Sequence, residues 1–157
     1  MSLTGRLKGD GGVVRQGRAE ILMKGSLHTD ELLAAVVKRD TGLRTARRIS
    51  HCFVMDVPGH ADVLVITDAA VNIAPTLADK VDIVQNAIDL ALGLSIEQPR
   101  VAVLSAVETI NLEMATTCEA AILSKMADRG QIKGAVIDGP FALDNAISPA
   151  AAQIKGI

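Results

Sequence analysis

Ile137-Asp138-Gly139-Pro140-Phe141-Ala142-Leu143-Asp144-Asn145-Ala146-Ile147-Ser148 is the stretch on which the fold turns. It follows the apolar run Gly134-Ala135-Val136-Ile137, which reads as a short buried strand, and it opens into polar residues and then an alanine-rich helical pattern. A strand that stops at Asp-Gly-Pro delivers a carboxylate to a cleft edge. In open α/β sheets, ligands collect at the carboxyl ends of strands, where loops carry polar groups and the next helix offers free N–H donors. The triplet equally suits a plain strand-to-helix turn, because Asp, Gly and Pro each favour turn conformations.

Working outward, Pro99-Arg100-Val101-Ala102-Val103-Leu104-Ser105 reads as a β-branched strand ending in Ser, and a helix is expected from about Glu113 to Arg129, closed by Gly130. Ile132 to Asp138 supplies the next strand. Leu77 to Gly93 is the longest amphipathic helix, with Gly93 as its stop; Val81, Val84, Ala87, Ile88 and Ala91 form a stripe that Ile83 and Leu90 widen, as for a helix that also touches a partner subunit. Arg47 to Val57 alternates, Pro58-Gly59-His60-Ala61 breaks it, and Asp62 to Asp68 follows, so an antiparallel hairpin is expected. Nearer the N-terminus, Val13 to Gly17 resembles the last turn of a helix. Glu20-Ile21-Leu22-Met23-Lys24-Gly25 reads as a buried strand, and Thr29 or Asp30 is expected to cap a helix through Leu32, Leu33, Val36 and Val37. Residues 1–12, rich in Gly and charge, read as a flexible lead-in before a domain over 13–157. These patterns predict an α/β fold, a three-layer α/β/α arrangement with a mixed, mostly parallel sheet and one antiparallel hairpin.

Composition narrows the function classes. In 157 residues the chain has a 49% hydrophobic fraction, two Phe and no Tyr or Trp, so its core is aliphatic. A net charge of −2, with no aromatic platform for bases, gives no basis for nucleic-acid binding. No apolar run reaches the roughly 18 residues that span a bilayer, no signal pattern opens the chain, and a cytoplasmic location without membrane attachment is expected. Cys52 and Cys118 lack zinc-site spacing and read as buried reduced thiols. No Walker loop, Gly-x-Gly-x-x-Gly fingerprint or Gly-x-Ser-x-Gly elbow is present, and no carboxylate cluster suggests a metal-dependent dehydrogenase.

Three strand ends carry polar groups: Gly25-Ser26-Leu27-His28-Thr29, Ser105-Ala106-Val107-Glu108, and Asp138-Gly139-Pro140 with Asp144-Asn145. If their strands are parallel, the loops gather at one sheet edge and line one cleft. A histidine side chain suits a phosphate or an acid–base role, and His28 reads as that or as a merely exposed residue. Arg44, Arg47 and Arg48 suit a phosphate in principle, and a solvated face with local ion pairs equally well. Asp138 either orients a ligand or caps its own turn.

The series LMKGSLHTDELL, RRISHCFVMDVPG, ITDAAVNIAPTL, KVDIVQNAIDLA, PRVAVLSAVETIN and GAVIDGPFALDNAIS, followed by AAQIKG, resembles the phosphate acetyl/butyryltransferase family from about Val13 to the last residue. It is most similar to the acyltransferase part of bifunctional enoyl-CoA hydratase/phosphate acetyltransferase proteins. The resemblance implies acyl transfer between coenzyme A and inorganic phosphate, giving an acyl phosphate and free CoA, with no metal or redox cofactor. It also implies the second domain of a two-domain fold, a homodimer, and an acyl-CoA cleft lined by His28, Thr29, Ser105, Asp138, Gly139, Pro140 and Asn145. The family's Ser-Arg motif and the Asp expected to hold and deprotonate phosphate have no counterpart here, and Leu32-Leu33-Ala34 stand where acetyltransferases carry an Arg. The domain is thus expected to be incomplete relative to the family and inactive alone, or else to act as a non-catalytic dimerisation scaffold.

Overall fold

The computed structural model describes residues 12–60, 62–68 and 70–157. The chain divides into two compact units, Met1–Arg48 and Ile49–Ile157. The lead-in assigned to residues 1–12 lies outside the described residues except for Gly12, which is helical.

In the first unit, residues 12–15 form a helical turn closed by Gly17, whose φ of 67° lets its N–H and that of Arg18 turn back to the carbonyls of Val14 and Val13. Helix α1 spans Thr29–Val36. Its N-cap is His28, not Thr29 or Asp30, and it has no side-chain cap. Leu32, Leu33 and Val36 form a half-buried face, as their spacing predicts, whereas Val37 is the exposed C-cap. The strand expected over Glu20–Gly25 does not form. Ile21 is 84% exposed and Met23 88%, and with no other strand among the unit's described residues the segment has no ladder to join.

The second unit opens with the expected hairpin. Strand β1 (Cys52–Met55) pairs antiparallel with β2 (Leu64–Thr67), Cys52 opposite Thr67 and Met55 opposite Leu64. Asp68 fastens its base: one carboxylate oxygen accepts the N–H groups of His51, Ala70 and Val71, and the other accepts the Asn72 N–H and its side-chain amide. Burial pushes this carboxyl upward, but the bonds from the Asn72 side chain, Val71, Ala70 and His51 outweigh it and hold the group below its ordinary value.

Helix α2 spans Leu77–Gly93, as the periodicity predicts. It starts in a capping box, the Thr76 hydroxyl accepting from the Asp79 N–H while the Asp79 carboxylate accepts from the Thr76 N–H. At its end the left-handed residue is Ser95 (φ 66°), not the expected Gly93, which stays helical; the Ser95 and Ile96 N–H groups return to Leu92 and Ala91. The wide apolar stripe is covered within the chain itself. Val84 and Ile88 join Leu123, Ile132 and Ile137 in the core, while α2 also contacts β2 and Asn86 bonds Ser50 beside the hairpin. The stripe therefore offers no separate argument for a partner subunit.

Strand β3 (Arg100–Leu104) pairs in parallel with β4 (Val136–Phe141), and helix α3 (Ala115–Asp128) packs on this pair before closing at Gly130 (φ 70°). A salt bridge from Lys80 to Glu119 ties α2 to α3. The short helices α4 (Leu143–Ile147) and α5 (Pro149–Lys155) follow β4. The fold is thus α/β, with one antiparallel and one parallel pair that form separate two-stranded sheets. Two expectations about β4 change. It begins at Val136 instead of Ile132, because Gly134 has φ 89° and both backbone groups of Lys133 are bonded to the Gln85 side chain on α2. Nor does the strand stop at Asp-Gly-Pro. It runs through Asp138, Gly139 and Pro140 to Phe141, absorbing one extra residue as a bulge where Ala102 faces Asp138 and Leu104 faces Phe141. The bulge relieves Pro140, which has no N–H, of a ladder role, and the Gly139–Pro140 peptide is cis.

Gly139 is required here by contact. A Cβ at this position would lie 2.7 Å from the Val103 carbonyl oxygen, 3.0 Å from the Val103 Cβ and 3.3 Å from the Ala120 Cβ. Gly139→Ala is expected to destabilise the protein by about 1–3 kcal/mol, the usual cost of overpacking; urea denaturation measures it, and a loss below about 0.5 kcal/mol contradicts the packing described.

Candidate functional site

The carboxyl ends of β3 and β4 are held level because the Ser105 N–H donates to the Phe141 carbonyl at 2.8 Å, one residue past the end of β3. The Ser105 hydroxyl then meets the Thr116 hydroxyl at 2.8 Å and lies 3.9 Å from the Met114 sulfur. Thr116 is the second residue of α3, whose N-cap, Met114, supplies no side-chain bond. The Thr117 N–H turns back to the Met114 carbonyl, while the N–H groups at the very start of a helix have no intrahelical partners and carry its positive dipole end. The contrast with α2 is direct, since Thr76 and Asp79 there satisfy the helix start from within. Two hydroxyls and a helix start without a side-chain cap therefore converge at a parallel strand end, a donor-rich arrangement suited to an anion or a developing oxyanion.

Thr117 fixes the loop that leads into this helix. Fully buried, its hydroxyl donates toward the Asn111 and Met114 carbonyls and accepts the Asn111 N–H. The Asn111 side chain in turn accepts the Glu113 N–H at 3.0 Å. The helix starts at Ala115, two residues later than expected, because Asn111 to Met114 form this turn. That displacement is why sequence reasoning missed Thr116 and Thr117: a start at Glu113 puts both beyond the first three helical positions, whereas the observed start places them within them. The adjacent threonines a few residues after Asn111 were the available signal.

Beside this edge lies a charged network. Lys155 Nζ bonds Glu108 Oε1 at 2.6 Å and Asp144 Oδ1 at 2.9 Å, and Asn145 Nδ2 reaches the same Glu108 oxygen at 3.3 Å. Asn145 is only 8% exposed, and its Oδ1 has no hydrogen-bond partner among the described residues. The lysine's hydrogen bond is the main cause holding Glu108 and Asp144 below their ordinary carboxylate values; Glu108 and then Asp144 raise Lys155 above the usual ammonium value. The sequence placed Glu108 at a polar strand end but gave it no partner, and Lys155 was not singled out, since an ion pair between residues 108 and 155 leaves no local pattern.

Of the residues predicted to line the cleft, Ser105 and Asn145 lie at this strand-end edge, joined through the loop that carries Glu108. Asp138 is exposed within β4, its carboxylate accepting the Gly139 N–H at 2.8 Å, while Gly139 is packed into the sheet and Pro140 is buried. His28 and Thr29 stand exposed at the start of α1 in the first unit, after a turn in which Lys24 Nζ bonds the Leu27 carbonyl at 2.8 Å. Among the described residues no group of three or more His, Cys, Asp or Glu is placed to hold a metal ion, and no helix is long and apolar enough to cross a membrane.

The network implies a pH window. The depressed carboxylates stabilise the fold above their unfolded values and lose that contribution as pH falls through the folded ones; the raised lysine contributes until pH rises through its folded value. Melting temperature is therefore expected to change little through this network between about pH 5 and about pH 10 and to fall outside that range. Lys155→Met should remove part of both limbs in thermal melts; identical profiles for the two proteins contradict the network.

Comparison with known proteins gives the family of the chain. Residues 11–156 match the family model described as phosphate acetyl/butaryl transferase. The chain is 63% identical over 145 residues to the phosphate acetyltransferase of Rhizobium meliloti, covering 92% of this chain and 46% of that protein. It is 50% identical to the phosphate butyryltransferase of Clostridium beijerinckii, covering 92% of this chain and 48% of the relative. Among solved structures, a branched-chain phosphotransacylase from Enterococcus faecalis V583 superposes with a TM-score of 0.83 at 33% identity, over 96% of this chain and 53% of that one. The chain thus spans about half the length of the relatives it matches. On the family match across nearly all its residues, the chain belongs to the phosphate acetyl/butyryltransferase family.

Proposed function

We propose that this chain forms the acyl-CoA- and phosphate-binding edge of a phosphate acyltransferase, which moves an acyl group between coenzyme A and inorganic phosphate. The observation that carries this reading is the Ser105–Thr116 hydroxyl pair set on a helix start without a side-chain cap, at the end of a parallel strand pair. In the reaction a phosphate oxygen attacks the thioester carbonyl, the carbonyl oxygen becomes an oxyanion, and collapse expels the CoA thiolate to leave an acyl phosphate. Both substrates are anionic and the intermediate gains charge at oxygen, so donors already in place supply stabilisation that water would otherwise have to reorganise to give.

Within this reading Ser105 and Thr116 donate to phosphate or carbonyl oxygen. Asn145 keeps the loop carrying Glu108 in register beside them. Asp138 acts by positioning: its negative charge repels both substrates, and it bonds its own neighbour's N–H. His28 and Thr29 offer a second helix start without a side-chain cap and are assigned to substrate binding on that ground. Relatives named as acetyl- and butyryltransferases resemble the chain about equally in extent, so the acyl group is left to the assay. A cytoplasmic homodimer needing no metal or redox cofactor completes the reading; fusion to an enoyl-CoA hydratase rests on the sequence resemblance alone.

Calorimetry with coenzyme A tests the edge. Wild type is expected to bind, and the Ser105→Ala/Thr116→Ala double variant to bind about tenfold or more weakly, as for the loss of hydrogen bonds to a charged group. Equal affinities contradict the assignment. Phosphate-dependent CoA release from acetyl-CoA or butyryl-CoA reads turnover in the same samples, and no release at any protein concentration removes turnover from this chain.

A further inference from the structure

Lys155, the last residue of α5, is shared by two carboxylates, so the trio with Glu108 and Asp144 keeps a negative excess. The lysine side chain is 35% exposed, so an anion from solvent can reach it. Ion pairs this open add modestly to stability, enough to shape a melt and weak enough to be exchanged for another anion. A phosphate group, by contrast, offers several charged acceptors to one ammonium. Glu108 is also provided for if the lysine leaves, because Asn145 Nδ2 donates to the same oxygen. Finally, Glu108 stands three residues beyond Ser105, on the loop that runs from the strand end to the start of α3.

We propose that Lys155 is an anion-binding residue of this edge, parked on Glu108 and Asp144 in the free chain and exchanging them for a phosphate group of the substrate. This rests on the ligand-binding edge described above and adds to it a cation and a competitor. The group it takes is a phosphate, either inorganic phosphate or one of the phosphates of coenzyme A. Glu108 opposes binding, since it must release the lysine first. The two partners of one ion pair therefore have opposite effects on ligand affinity, which a purely structural salt bridge does not produce.

Calorimetric titration at fixed low ionic strength with inorganic phosphate, and separately with coenzyme A, distinguishes the two sources and tests the exchange. Lys155→Met is expected to raise the Kd for one of the two ligands about tenfold, and Lys155→Arg to recover most of that loss. Glu108→Gln, which keeps an acceptor for Asn145, is expected to lower the same Kd about threefold by freeing the lysine. Thermal melts accompany each protein. If Lys155→Met does not fold, Glu108→Gln decides alone, and an unchanged or raised Kd overturns the proposal. Shifts of the same sign in Lys155→Met and Glu108→Gln, or no shift in either, overturn it as well. Wild type that binds neither phosphate nor coenzyme A contradicts the ligand edge itself, whereas wild-type binding with same-sign variants contradicts only the exchange at Lys155.

Discussion

The close approach at Gly139 is the constraint on which the strand-end edge depends. With no side chain there, β4 lies against the Val103 carbonyl closer than a Cβ permits, and against Ala120 of α3 with little room to spare. That approach sets the bulge, the bulge carries β4 past Asp138 to Phe141, and the Phe141 carbonyl then receives the Ser105 N–H. The levelled strand ends put the Ser105 hydroxyl within reach of Thr116. The site is thus a consequence of backbone packing two residues away from the groups that would touch a ligand.

A second layer of control comes from polar side chains that serve the backbone. Thr117 holds the Asn111–Met114 turn and so decides where α3 starts; Asp68 gathers the N–H groups at the hairpin base; Gln85 takes both backbone groups of Lys133 and ends the extended run before β4. In each case a single side chain satisfies backbone groups that neither helix nor strand can satisfy. The aliphatic core of Val84, Ile88, Leu123, Ile132 and Ile137 supplies the cohesion, and these polar contacts supply the register.

Elements fixed by short-range periodicity were legible in the sequence. Helix α2 has the bounds that its apolar spacing predicts, the hairpin pairs as its alternation predicts, and Gly130 ends α3. What escaped depends on contacts distant in sequence. Glu20–Gly25 has the composition of a strand, but composition does not supply a pairing partner. Gly134 and Gly139 look alike in sequence, yet one interrupts extension through its positive φ and the other permits close packing inside a strand. Ser105, Glu108 and Asn145 were found as polar residues near strand ends, whereas Thr116 and Lys155 acquire their places from a helix start displaced by two residues and from an ion pair across the fold.

The central claim is that ligand phosphate groups meet this chain at the ends of β3 and β4. Amide chemical-shift mapping by NMR, with coenzyme A and inorganic phosphate added in turn, tests it most directly. The predicted shifts concentrate at Ser105 to Glu108, Ala115 to Thr117 and Asn145, and are smaller along the β1–β2 hairpin. Shifts centred on Phe53 to Met55 with Ser105, Thr116 and Asn145 unmoved, or no shifts with either ligand, would contradict the claim.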